Sequence, residues 1–231
     1  MLLIDLDPQG NASTGLGFAR TDRSIGSYTM LIEGRPLAAV VRTTSLPNLF
    51  LVPADADLAG AEVELVGMED RERRLRNTLR AAPEQMRRYD YVFLDCPPSL
   101  GLLTLNALVA ADSVLVPLQC EFYALEGVSQ ITQTIERVRR ALNPSLGLEG
   151  IVLTMFDRRN NLSEAVAADV RAFFKDKVFE TVIPRNVRIS EAPSHGLPVT
   201  LYDFRSPGAQ AYVKLAGELR RRERARVGST A

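Results

Sequence analysis

MLLIDLDPQGNASTGLG, residues 1–17, is the stretch on which the fold turns. An apolar run, Leu2 to Ile4, closes on Asp5, passes a second acid, Asp7, and enters a loop carrying Gly10, Gly15 and Gly17. Short, continuously apolar runs of this kind read as strands buried on both faces of a parallel sheet. In open sheets of that type ligands gather at the carboxyl ends of the strands, which is where this stretch puts its carboxylates.

The pattern recurs at YDYVFLDCPPS (89–99), where Tyr91 to Leu94 lead into Asp95 and a Pro-Pro stop. A lone acid at a strand end is commonly a turn former or a helix cap. Two such ends, one followed by Pro-Gln-Gly-Asn and the other by Cys-Pro-Pro-Ser, point instead to a shared ligand cleft. Clustered carboxylates suit Mg²⁺, a hard ion that prefers oxygen and keeps several waters. One acid can hold the metal, often through water, while another orients an attacking water.

Further strand-like runs are NLFLVPA (48–54), DSVLVPLQ (112–119), LEGIVLTMF (148–156) and KVFETVIP (177–184). Helical patterns lie between them. Leu125, Val128, Ile131, Ile135, Val138 and Leu142 form one apolar helix face. Residues 68–82 predict a charged, Arg-rich helix, and 161–175 an amphipathic one with Ser163 as its N-cap. Pro207 opens a last helix to about 226. Strands alternating with helices of this length imply an α/β fold with a doubly wound, mostly parallel sheet. No repeat, low-complexity linker or boundary divides the 231 residues, so a single domain over 1–231 is expected.

Lys plus Arg and Asp plus Glu number 28 each, which argues against a uniformly basic nucleic-acid coat but leaves room for a local basic patch. The two cysteines, Cys96 and Cys120, form no CxxC pair and read as reduced thiols. No basic leader precedes the first strand, and no apolar run approaches the ~20 residues of a membrane span.

Taken in order, LLIDLDPQGNASTGLG, YDYVFLDCPPSLGLLTLNAL, VPLQCEFYALEGV, GIVLTMFD and TVIPRNVRISEAPSHGLPV resemble the ParA/Soj family. Those are P-loop ATPases that segregate chromosomes and plasmids, related to MinD and the nitrogenase iron protein. The resemblance covers nearly the whole chain. It implies that Asp7 positions the hydrolytic water, that Asp95 is the Walker B acid holding Mg²⁺, and that Asp5 stands beside them at the phosphate end of a metal site. It implies that Asn11, Pro184, Arg185 and Asn186 contact nucleotide, the last three near the adenine, with Thr154 and Met155 alongside. Arg185 and Arg188 fall where the family binds DNA without sequence preference, and Lys214, Arg220 and Arg221 extend that basic patch into the tail. The cofactors implied are ATP and Mg²⁺. The partners implied are a ParB-like centromere-binding protein, DNA and a second copy, in the cytoplasm on the nucleoid, with no membrane.

The departure from the family is at its phosphate loop. Members carry a strand, a K-G-G-V-G-K-T-T loop and a long helix ahead of the D-x-D-P-Q-G segment. Neither G-x-x-x-x-G-K-[ST] nor K-G-G-x-G-K occurs here, and GNASTGLG (10–17) has no lysine. The expected fold therefore lacks its first strand–P-loop–helix unit, and with it the N–H cradle and lysine charges for the phosphates. Losing an interior strand would orphan on the order of ten ladder groups at roughly 1 kcal/mol each, comparable to the ~5–15 kcal/mol that holds a domain together. Three accounts stand. The start lies some way upstream, since the family often has Val where Met1 stands and a GTG codon can initiate. Or the product is truncated, with weak or no ATPase. Or the chain is a nucleotide-free DNA- or partner-binding relative. A family member positioning other cargo is a further alternative, and ATPase activity of these residues alone is left open.

The smaller features add little. His195, in APSHGLP, reads as a loop or surface histidine rather than a general base. Cys120 lacks the glycine-rich surroundings of an iron–sulfur ligand. The basic tail has too few bulky apolar residues for a membrane-targeting helix.

Overall fold

The computed structural model describes residues 1–228. They group into two compact units. The first comprises Met1–Asp112, Val138–Leu146 and Pro193–Leu197; the second comprises Ser113–Arg137, Gly147–Ala192 and the residues from Pro198 on.

The first unit is built on a four-stranded sheet. β1 (Leu2–Asp5) is central and runs parallel to β3 (Phe50–Val52) on one side and β4 (Val92–Asp95) on the other. A two-residue strand, β2 (Arg42–Thr43), pairs antiparallel with β3 at the edge, giving the order β2-β3-β1-β4. Register places Leu2 beside Val92 and Asp5 beside Asp95. Leu2 and Ile4 are fully buried, as the continuous apolar run requires. Around the sheet lie α1 (Asn11–Gly15), α2 (Ser27–Leu31), α3 (Leu37–Val40), α4 (Leu58–Val66), α5 (Arg74–Arg80), α6 (Pro83–Met86) and α7 (Leu102–Ala110). Leu31, Leu58, Leu65, Leu75 and Leu103 close the core over the strands.

The helix expected over 68–82 begins only at Arg74. Two features mark where it starts. Asp70 sits in the left-handed region at φ 49°. Asn106, buried on α7, accepts from Leu75 N at 3.1 Å and donates to the Arg71 carbonyl at 2.7 Å, so it serves both as cap of α5 and as anchor of the preceding turn.

In the second unit β5 (Ser113–Gln119) pairs in parallel with β6 (Gly147–Thr154). α8 (Ala124–Ala141, of which the residues to Arg137 belong to this unit), α9 (Asn161–Phe174), α10 (Val187–Glu191), α11 (Val199–Tyr202) and α12 (Pro207–Gly228) are its helices, close to the ranges their periodicity predicts where they were expected. Val128, Leu118, Leu153 and Val170 share one core, and Phe179, Val152, Ile183 and Ala211 another. The N-cap of α9 is Asn160, which accepts from Leu162 N at 3.0 Å. Ser163 lies inside the helix, buried, with its hydroxyl on the Cys120 carbonyl.

KVFETVIP does not form the expected strand. It touches β6 only at the bridge from Val178 to Ile151 and through Phe179 N and Ile183 N, which donate to the Ile151 and Leu153 carbonyls. Between them Glu180 N and Thr181 N turn away to the buried carboxylate of Glu218 on α12, at 2.8 and 2.9 Å. A ladder cannot continue once its donors are taken by a side chain. The same carboxylate pairs with Arg222, whose guanidinium lies 4.1 Å from the Phe179 ring centroid. Among the described residues no helix is long and apolar enough to cross a membrane.

Candidate functional site

Three acids cluster at the carboxyl ends of β1 and β4. Asp5 is fully buried. Its carboxylate accepts from Ser13 N at 2.9 Å, from Ser13 Oγ at 2.6 Å and from Asp7 N at 3.2 Å. Burial pushes its pKa up against these hydrogen bonds. Asp7 is half-buried, and its Oδ1 accepts from Gln9 N at 3.0 Å. Asp95 is also half-buried, and its backbone carbonyl accepts from Leu6 N. Its carboxylate accepts no hydrogen bond among the described residues. Burial first, then the charges of Asp5 and Asp7, raise its pKa to about 6. Next to it, the Cys96 thiol is pushed up to about 12 by burial and by Asp95, so it stays protonated.

The loop carrying Asp7 is fastened from three sides. Gly10 adopts φ 63°, and a Cβ there would stand 2.2 Å from Arg23 Nη1. Arg23, only 3% exposed, donates to the Gly10 and Phe18 carbonyls and, at 2.7 Å, to Thr14 Oγ1. Ser13 Oγ accepts from Ala54 N at 3.0 Å while donating to Asp5, which joins the ends of β1 and β3. Ser27 donates to the Asp5 carbonyl. Beside these, Asp55 accepts from Tyr28 N at 2.7 Å and Thr29 N at 3.1 Å and caps α2. Asn11, the first residue of α1, is exposed.

The structure thus brings Asp5, Asp7 and Asp95 to one set of strand tips. Among the described residues no three acid, cysteine or histidine side chains are arranged to hold a metal ion alone. Hard oxygens contributed by one or two carboxylates, with water or a ligand completing the shell, fit Mg²⁺, which seldom takes an all-protein cage.

In the second unit Met155, at the end of β6, sits at φ 52°, a conformation a long side chain rarely adopts. Phe156 N donates to the Ile183 carbonyl and Arg185 N to the Phe156 carbonyl, so Pro184 and Arg185 run beside this turn. Asn186 caps α10, accepting from Arg188 N at 3.0 Å. Asp157 is held at about 2 by Arg159 first and by Arg185 last. Arg188 is engaged: its Nη1 meets Glu191 at 2.7 Å and its Nε meets Asp203 at 3.4 Å. Lys214 is exposed on α12, as are Arg220 and Arg221, whereas Arg222 and Arg226 are tied to Glu218 and Glu149.

The sequence reading missed Ser13, Arg23 and Asp55. Asp55 carried a usable signal, since it too is an acid just after a strand. Ser13 and Arg23 carried none, because their partners are set by tertiary contacts.

An AAA domain family model matches residues 1–148. The chromosome partitioning protein ParA of Caulobacter vibrioides is 57% identical over 231 residues, covering 100% of this chain and 86% of that one. The sporulation initiation inhibitor protein Soj of Bacillus subtilis is 51% identical over 219 residues, covering 95% and 85%. Among solved structures, cobyrinic acid a,c-diamide synthase of Mycobacterium smegmatis with bound ADP and magnesium superposes with TM-score 0.80 at 36% identity, over 96% of this chain and 82% of that one.

Proposed function

The chain belongs to the ParA/Soj family of chromosome-partitioning ATPases, and on that premise we propose that its acidic strand tips serve ATP-dependent DNA partitioning. The observation carrying this reading is the Asp95 carboxylate, which has no hydrogen-bond partner among the described residues and stands beside two other acids. A carboxylate left in that state gains most from a cation. Asp95 would hold Mg²⁺, and Asp7, on the loop that Ser13 and Arg23 fasten, would orient the hydrolytic water. Asp5 contributes by holding that loop through Ser13 and Asp7 N rather than by touching the metal. Mg²⁺, when bound, neutralises charge on the phosphates. Phosphoryl transfer needs little beyond positioning and such neutralisation.

Pro184, Arg185 and Asn186 take the base end of the nucleotide, with Asn11 near the phosphate end. Arg185, Lys214, Arg220 and Arg221 contact DNA phosphates without reading sequence. Dimerisation with nucleotide, stimulation by a ParB-like partner and a cytoplasmic, nucleoid-bound location complete the reading.

A nucleotide-free binding module is the second reading, since neither G-x-x-x-x-G-K-[ST] nor K-G-G-x-G-K occurs in residues 1–231. Calorimetry with Mg-ATP separates the two. Micromolar binding that requires Mg²⁺ and is lost in Asp95→Ala supports the ATPase reading. Retained DNA binding with no nucleotide heat supports the module.

A further inference from the structure

Between α5, α6 and the end of α7 the first unit opens into a groove of about 570 Å³ that the proposed function does not use. Its floor is apolar: Leu79 and Val109 are buried there, with Met86 and Pro83 beside them. Its rim carries Arg76, Arg80 and Arg87, against a single rim carboxylate, Asp112.

Most of that positive charge is uncommitted. Arg80 is exposed and makes no hydrogen bond or ion pair among the described residues. Arg76 gives one N–H to the Leu142 carbonyl at 3.2 Å, which leaves most of its five donors available. Arg87 meets Glu84 at 2.7 Å, but both side chains are more than 70% exposed, and such a pair holds weakly enough to exchange for another carboxylate. Guanidinium groups are the side chains best suited to bidentate capture of carboxylates. Met86 on the floor can repack around different apolar shapes. The volume falls in the ~300–1,000 Å³ range of sites that enclose a ligand group.

We propose that this groove docks an acidic peptide segment of a partner protein, with carboxylates on Arg76, Arg80 and Arg87 and one bulky apolar side chain against Leu79, Met86 and Val109. A nucleic-acid backbone suits it less. Phosphates would use the rim but leave the apolar floor empty, and Asp112 would repel them. Neither Asp7 nor Asp95 lines this groove, so a segment seated in it does not use the acids.

Fluorescence anisotropy of the full chain with a fluorescein-labelled peptide, glutamates flanking one leucine, tests this. Saturable binding is expected, weakening with salt. It should fall about tenfold or more in Arg80→Glu, and similarly when the peptide leucine becomes alanine. Arg80 is exposed and unpartnered, so R80E should melt as the parent does; Arg87→Ala provides a second variant with the same expected direction. Absence of saturation at millimolar peptide, or R80E binding equal to the parent, overturns the proposal. So does a DNA duplex that binds more weakly to R80E while the peptide is unaffected, which would assign the groove to nucleic acid.

Discussion

Asp5 and Asp95 are register partners, the last residues of adjacent parallel strands, and their carboxylates are treated in opposite ways. Asp5 is sealed in and satisfied by Ser13 and the Asp7 amide. Asp95 is left without a hydrogen bond in the field of its neighbours. One acid builds the loop, and the other is available to a ligand.

Stability of the ligand-free chain should therefore depend on pH through Asp95. Its pKa is near 6 folded against 3.8 as the ordinary value, so the folded state holds the proton more tightly. That stabilisation is complete below about pH 4 and is lost as pH rises through 6. Asp95→Asn should raise neutral-pH stability by on the order of 2 kcal/mol and flatten this slope. Asp5 and Asp55, also raised by burial, leave a residual slope of the same sign. Urea unfolding from pH 4 to 7.5 measures both; a D95N chain less stable than the parent at pH 7.5 contradicts the assignment.

Ser13 ties the end of β1 to the end of β3. Ser13→Ala strands the Ala54 amide and strips a hydrogen bond from buried Asp5. A cost of about 1–3 kcal/mol is expected, with Ser13→Thr recovering most of it, read by denaturant midpoints.

Glu218 takes two backbone donors of the 177–184 segment, Glu180 N and Thr181 N. Glu218→Ala leaves the Glu180 and Thr181 amides and Arg222 without their carboxylate. Destabilisation of about 2–4 kcal/mol follows, with faster hydrogen exchange at residues 178–183 as its local signature. Unchanged exchange there would argue that these amides have other partners.

DNA binding should discriminate between exposed and engaged cations. Lys214→Glu is expected to weaken duplex binding severalfold at low salt and to reduce the salt slope. Arg188→Ala should do less, because Glu191 and Asp203 already occupy that guanidinium. Electrophoretic mobility shifts on non-specific duplexes at two salt concentrations make the comparison.

What the sequence made legible was local. The acids after β1 and β4 stand where alternating strands and helices imply, and α8, α9 and α12 follow their periodicity closely. What it did not disclose depends on distant partners. Ser13 meets Ala54 across 41 residues. Asn106 shortens α5 from 31 residues away. Glu218 takes the donors of an apparent strand 38 residues before it. A propensity read over a short window contains none of these, and the hydrogen bonds that Ser13 gives Asp5 are likewise set across the fold.

Cation capture by the strand-tip acids is the claim on which the functional reading rests. Mn²⁺ titration of the full chain by electron paramagnetic resonance at pH 7.5, repeated on Asp95→Asn, tests it directly. The account predicts one bound Mn²⁺ per chain, weakened at least about tenfold by the substitution. No bound Mn²⁺ in the parent, or equal binding by D95N, would contradict it.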